Sequence, residues 1–325
     1  MFDLDSDVNK ILLTGSSGFV GGAVGAELSH RRFNVVMSMR NLNIRTVRPL
    51  NKYFENGEIG ATTDWSFALK DVFCVIHCAG RAHVIKDNVI DPLTVFRTVN
   101  TVGTLNLARQ AVAAGVKRFL FLSSIGVNGM QTESYQAFSE ADQANPHNAY
   151  ALSKWEAEQG LMRIAAETGL EVVIIRPPLV YGCRAPGNFG SLTRAVQRGL
   201  LLPLASVHNQ RSLVGLDNLV DFIITCVTHP QAANETFLVS DGQDLSTTEL
   251  VRGMALAAGV PSRLLPVPVW ALQAAATLLG KGDAVQRLCD NLQVDISKAR
   301  NLLGWVPPVS VTEGLRRAMI GGGNL

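Results

Sequence analysis

The sequence predicts an α/β protein: a doubly wound parallel sheet with a smaller, mostly helical C-terminal part. Three observations lead there. Short apolar segments of strand length alternate with helical stretches through the first half of the chain, a glycine-rich turn joins the first strand to the first helix, and helical patterns dominate from Ser246 onward. Units of this kind favour right-handed crossovers and a parallel sheet. With 325 residues, 47% hydrophobic and 17% charged, the chain has the apolar content for a large core and lacks the charge excess of a disordered one.

The elements follow in order. Lys10-Ile11-Leu12-Leu13-Thr14 is a short apolar strand, and residues 19–31 form a helix with small residues on one side. Residues 34–39 are a second strand, and residues 72–77 a third whose unbroken apolar character buries it on both faces. Residues 91–114 carry helical periodicity up to a C-cap at Gly115. A strand at 118–123, a helix at 149–168 closed by Gly169, and a strand at 171–175 complete the alternation. After Arg176 the pattern loosens, and Pro177, Pro178, Gly182, Pro186, Gly187 and Gly190 mark a long irregular stretch. The expected division is a cofactor domain over residues 1–180 and about 211–240, with a substrate domain over about 181–210 and 241–325.

A formal net charge of +2 supplies no field that would draw nucleic acid or an anionic membrane. The longest apolar stretches, 199–207 and 267–276, are broken by proline or polar residues and fall short of a bilayer span. No membrane insertion is expected. Asp3, Asp5 and Asp7 without a basic segment do not read as a signal peptide. The five cysteines form no CxxC pair, so reduced thiols in a cytoplasmic protein, with no metal site, are expected.

The glycine turn is Thr14-Gly15-Ser16-Ser17-Gly18-Phe19-Val20-Gly21. Placed between strand and helix, Gly15 permits the tight turn, Gly18 lets backbone approach a pyrophosphate, and Gly21 lets the helix pack closely. The helix N-terminus, with Ser17, Phe19 and Val20, offers oriented N–H donors to the anion. This predicts a Rossmann-type dinucleotide site. A carboxylate after the second strand would hydrogen-bond the 2′-hydroxyl of NAD, whereas that strand ends Val36-Met37-Ser38-Met39-Arg40. Arg40, helped by Ser38 and Arg45, points to NADP(H) over NAD(H); a solvated loop arginine is the alternative. Glu58 and Ile59, at the end of a further strand, are placed to border the adenine.

Tyr150-Ala151-Leu152-Ser153-Lys154 opens a helix, so Tyr150 and Lys154 share one face. A tyrosine exchanging protons near neutral pH needs its phenolate stabilised, which an adjacent ammonium does. Phe121-Leu122-Ser123-Ser124 brings a hydroxyl to the carboxyl end of a strand, where ligands bind in open α/β sheets.

With TGSSGFVG, Val75-Ile76-His77-Cys78-Ala79-Gly80, Val99-Asn100-Thr101-Val102-Gly103-Thr104, FLSSIGVNG, YALSK, Ile175-Arg176-Pro177-Pro178-Leu179-Val180-Tyr181-Gly182 and Lys298-Ala299-Arg300-Asn301-Leu302-Leu303-Gly304-Trp305, the chain resembles the extended short-chain dehydrogenase/reductase family over nearly its whole length. The resemblance implies that Tyr150 is the general acid/base, that Lys154 lowers its pKa and holds the nicotinamide ribose, and that Ser124 polarises the substrate oxygen. It also implies that Ala79 and Gly80 border the cofactor, that Asn100 supports the site from beneath, and that the protein is a homodimer. Asn188 and Arg211 resemble residues that hold a UDP-linked sugar, a guanidinium suiting a diphosphate through its bidentate fork; His83 is a further candidate for the sugar pocket. Within the family, 79–84, 124–129 and 209–214 look closest to UDP-4-keto-6-deoxy-N-acetylhexosamine 4-reductases, which implies NADPH-dependent reduction of a C4 ketone to UDP-N-acetylquinovosamine or UDP-N-acetylfucosamine for surface polysaccharide. A UDP-sugar 4-epimerase with tightly held NAD is the rival, and a dinucleotide-sensing protein without catalysis a third reading.

Overall fold

The computed structural model describes residues 10–41, 52–82, 91–278, 280 and 282–320. In chain order the elements are β1 (Lys10–Thr14), α1 (Phe19–His30), β2 (Asn34–Met39), β3 (Lys52–Glu55), β4 (Val72–His77), α2 (Pro92–Phe96), a π-helical segment (Arg97–Gly103), α3 (Thr104–Ala113), β5 (Arg118–Leu122) and α4 (Ala149–Thr168). They continue with β6 (Glu171–Arg176), β7 (Leu179–Tyr181), α5 (Gly187–Gln197), β8 (Leu213–Gly215), α6 (Leu216–Thr228), β9 (Glu235–Leu238), α7 (Thr247–Ala257), α8 (Val269–Leu278), α9 (Gly282–Cys289), α10 (Ser297–Leu303) and α11 (Val311–Ile320).

The main sheet runs β3-β2-β1-β4-β5-β6-β9, and every neighbouring pair is parallel. Successive strand residues face opposite sides, as a pleat dictates. Ile11, Leu13, Leu120, Val173 and Ile175 pack with α1, α6 and α10, while Leu12, Phe119, Phe121, Val172 and Ile174 pack with α3 and α4. This two-faced burial is the doubly wound α/β architecture expected of a Rossmann-type fold. The order reverses between β1 and β4, and that reversal opens a crevice at the carboxyl ends of the two strands.

Two expectations change here. The stretch after Arg176 is not irregular throughout: it holds β7, which pairs with β8, and the eleven-residue helix α5. Pro186 caps α5, Gly187 and Gly190 lie in its first turn, and Phe189 and Val196 are buried on it. Residues 91–114, read as one helix, form α2 and α3 joined through the π-helical segment. A third apolar cluster, with Tyr181, Phe189, Val207, Val251, Met254 and Leu315, underlies α5, α7 and α11.

Candidate functional site

At the sheet reversal the chain makes the turn that the glycines permit. Gly15 has φ +72°, and a Cβ there would lie 2.7 Å from the Ala79 nitrogen, so the β1 and β4 ends approach backbone to backbone. A Cβ on Gly21 would lie 2.2 Å from the Gly15 carbonyl oxygen. Gly18 caps α1 without a side-chain hydrogen bond, and the first turn holds no acidic residue. Uncapped N–H groups at a helix N-terminus with no neighbouring carboxylate suit a diphosphate, so the residues present fit a dinucleotide. Gly21→Val is accordingly expected to displace α1 from the turn and weaken dinucleotide binding at least ~tenfold, or about 1.4 kcal/mol. Unchanged affinity in a fluorescence titration would show that the helix start is not the anion cradle.

Behind the turn, His77 bridges two elements: Nδ1 lies 2.7 Å from Thr14 Oγ1 and Nε2 2.9 Å from Thr104 Oγ1. Burial, and secondarily the Lys154 charge, pushes its pKa down to about 3, so the ring is neutral and ties β1 and β4 to α3.

The catalytic candidates converge on the same crevice. Asn148 caps α4, its Oδ1 accepting from the Ala151 N–H at 2.8 Å. This fixes Tyr150 one turn before Lys154 on the same face. The Lys154 ammonium donates to the Leu122 carbonyl at 2.8 Å and sits 4.4 Å over the Phe121 ring. Beside it, a Cβ on Gly80 would lie 3.3 Å from both Lys154 Nζ and Asn100 Oδ1. The two serines differ: Ser123 is buried and donates to the Glu158 carboxylate, while Ser124 is half-buried and its Oγ accepts from the Gly126 N–H at 3.1 Å. A Cβ on Gly126 would lie 3.4 Å from both Ser124 Oγ and the Ala151 Cβ, so the serine loop and the start of α4 meet there. Asn100 lies fully buried behind the site, its amide taken up by Arg81 N–H and C=O and by Ser153 Oγ.

Burial pushes the Tyr150 phenol up to about 12. Lys154 is pushed down to about 8 by burial, against the raising influence of Cys78 and Glu158.

At the adenosine end the picture differs from the expected one. Ser38 cannot assist a 2′-phosphate, since it is fully buried and donates to Asn56 Oδ1 at 2.6 Å. Arg40 is exposed and pairs with Glu58 at 3.4 Å. Glu58 and Ile59 lie in the loop after β3 rather than at a strand end. Arg45 and His83 fall outside the described residues.

A pocket brings Asn188 and Arg211 together with Leu179, Phe189 and Leu250. Arg211 donates to the Asp290 carbonyl at 2.9 Å, and its pKa is lowered by burial. Arg287 on α9 lines the same pocket. No motif surrounds it in the sequence, so only the fold could reveal it. Among the described residues no cluster of histidine, cysteine and carboxylate side chains could hold a metal ion, and no helix is long and apolar enough to cross a membrane.

A dinucleotide-type turn facing a serine, a tyrosine and a buried lysine across one sheet reversal is the arrangement of a short-chain dehydrogenase/reductase enzyme. The sequence profile described as "NAD dependent epimerase/dehydratase family" matches residues 11–240, and the chain belongs to that family. It is 48% identical over 309 residues, covering 95% of this chain and 94% of the relative, to a UDP-glucose 4-epimerase of Vibrio cholerae. It is 27% identical over 328 residues, covering 96% and 94%, to an N-acetyl-alpha-D-glucosaminyl-diphospho-ditrans,octacis-undecaprenol 4-epimerase of Escherichia coli O157:H7. Among solved structures, a UDP-N-acetylglucosamine 4-epimerase from Bacillus cereus matches with a TM-score of 0.79 at 18% identity, over 97% of this chain and 99% of that one. That likeness speaks to the fold alone.

Proposed function

We propose that the protein is a UDP-sugar 4-epimerase that holds NAD(H) through a catalytic cycle. The observation that carries this reading is the 48% identity across 95% of the chain to a UDP-glucose 4-epimerase, in a protein that keeps Ser124, Tyr150 and Lys154 around one crevice. The NADPH-dependent 4-ketoreductase favoured by sequence alone has less support, for it leaned on the resemblance of residues 79–84, 124–129 and 209–214, and the 48% identity is to a 4-epimerase.

A bound nicotinamide dinucleotide supplies the hydride acceptor and donor at C4. Tyr150 takes the C4 hydroxyl proton as the ketone forms and returns it when the opposite face is reduced. Ser124 donates a hydrogen bond to the same oxygen, where charge changes most. Lys154 holds positive charge beneath the tyrosine and the ribose. Asn188, Arg211 and Arg287 bind the nucleotide end, the two guanidiniums matching a diphosphate. Gly15, Ser17, Gly18, Phe19, Val20, Ala79 and Gly80 line the cofactor side, with Glu58 and Ile59 toward the adenine and Asn100 as a positioning residue. The same proposal includes the two-domain division, a cytoplasmic location and a homodimer.

The decisive experiment incubates purified protein with UDP-glucose and with UDP-N-acetylglucosamine and follows products by NMR. Interconversion of the C4 epimers with no net change in reduced cofactor is expected. Stoichiometric NADPH consumption with a 4-keto sugar nucleotide, without epimer formation, would return the assignment to the reductase.

A further inference from the structure

The two longest apolar stretches of the sequence, around 199–207 and 267–276, meet in the fold: Leu204, Val207, Val269 and Leu272 enter the third apolar cluster, and other residues of both stretches stay exposed. Leu202 and Leu264 form a parallel bridge, closed by Leu202 N–H to Arg263 C=O and Leu265 N–H to Leu202 C=O, each 2.9 Å. This ladder leaves Leu200, Leu201 and Leu265 exposed. Helix α8 begins four residues after Leu265. Its inner side contributes Val269, Leu272 and the buried Ala276, and its outer side carries Trp270, Ala274 and Leu278 at four-residue spacing. Those three fall on one helical face. Trp270 is 72% and Leu278 89% exposed.

Charge is distributed with the same asymmetry. The net charge of +2 hides two windows, 172–216 and 250–282, that contain no aspartate or glutamate. They contain Arg198, two residues before Leu200, Arg252 on α7 and Arg263, all exposed, and Arg263 belongs to the apolar ladder itself. Exposed apolar residues with a tryptophan, on chain segments that carry arginines and no acid, are the chemistry of a surface that lies in a membrane interface. No described helix is long and apolar enough to cross a bilayer.

From this we infer that the face formed by residues 200–201, 265 and the outer side of α8 rests on an anionic lipid bilayer, inserting Trp270 and Leu278 at headgroup depth. A surface built for a second copy of the chain would need no acid-free border, since identical basic rims repel each other. The inference is independent of the epimerase reading, and none of its residues belongs to the proposed active site.

The test is co-sedimentation of the full chain with phosphatidylcholine vesicles and with vesicles carrying phosphatidylglycerol, at low and physiological salt. Binding is expected only to the anionic vesicles and should weaken as salt rises. Trp270→Gln/Leu278→Gln and Arg198→Gln/Arg263→Gln should each reduce it at least ~tenfold while leaving turnover of a soluble UDP-sugar and the melting temperature unchanged. Absence of binding to anionic vesicles overturns the inference, as does binding that neither variant alters. Self-association lost in Trp270→Gln, without vesicle binding, would assign the face to a second copy and likewise overturn it.

Discussion

Replacing Tyr150 with phenylalanine is expected to lower turnover by about 10²–10⁴-fold, the range that a positioned general acid/base supplies. Dinucleotide affinity should stay within about twofold, because the glycine turn and the α1 N-terminus lie across the crevice. The free protein holds the phenol protonated, its pKa pushed up to about 12 by burial. Proton removal by Tyr150 therefore depends on the Lys154 ammonium and on what binds beside it. Burial lowers Lys154 to about 8: the ammonium is present below that pH and lost above it. The kcat/KM profile, which reports groups of the free enzyme, should then fall on its alkaline side with a midpoint near 8. Near-normal turnover in Tyr150→Phe would end the proposed mechanism. A flat alkaline limb would remove Lys154 from it.

The largest stability effect is expected at Arg176. Its guanidinium meets the Glu158 carboxylate through Nε at 3.0 Å and Nη2 at 2.5 Å, and Nη1 donates to Asn128 Oδ1 at 2.9 Å. Arg176 is 7% exposed and Glu158 1%. Arg176→Met leaves a carboxylate buried without its counter-ion, at a cost of about 3–5 kcal/mol. Arg176→Met/Glu158→Leu removes both charges and should recover most of that loss, because a buried pair and an apolar replacement of similar volume are often close in stability. Urea unfolding measures both. A single-variant loss below about 1 kcal/mol, or a double variant no better than the single, would show that the pair is not the determinant. Since Glu158 also accepts from Ser123, next to Ser124, the single variant should slow catalysis as well.

Much of the cofactor half was legible in the sequence because its physics is local. The strands at 34–39 and 72–77 and the helix at 149–168 end where the apolar pattern and Gly169 say they end, and the Asn148 cap that starts the helix appears only in the structure. The glycine turn could be read because Gly15 and Gly21 answer contacts that only a missing side chain allows. What stayed hidden was set by tertiary contact. Ser38 looked available at a strand end, and only the approach of Asn56 shows it buried. That Arg40 and Glu58 lie 3.4 Å apart could not be read from a separation of eighteen residues. Helix α5 hid behind its own proline-rich entry. Arg287 shares a pocket with Asn188 across a hundred residues of sequence, and spacing carries no signal for that. Helical spacing placed Tyr150 and Lys154 on one face, but it could not show that the ammonium also donates to the Leu122 carbonyl.

The π-helical segment Arg97–Gly103 has a consequence for how the chain tolerates change. It lets Phe96 meet the Tyr150 ring at 5.9 Å and sends Asn100 and Thr101 to Ser153, while Thr104 onward keeps α3 seated on the sheet. A widened turn absorbs residues that a regular helix would spread around its circumference. Removing one residue here would let the turn close to regular α-helical pitch and take Asn100 and Thr101 out of line with Ser153, while the helix on either side keeps its faces. Side chains in this segment can vary in kind more safely than the segment can vary in length.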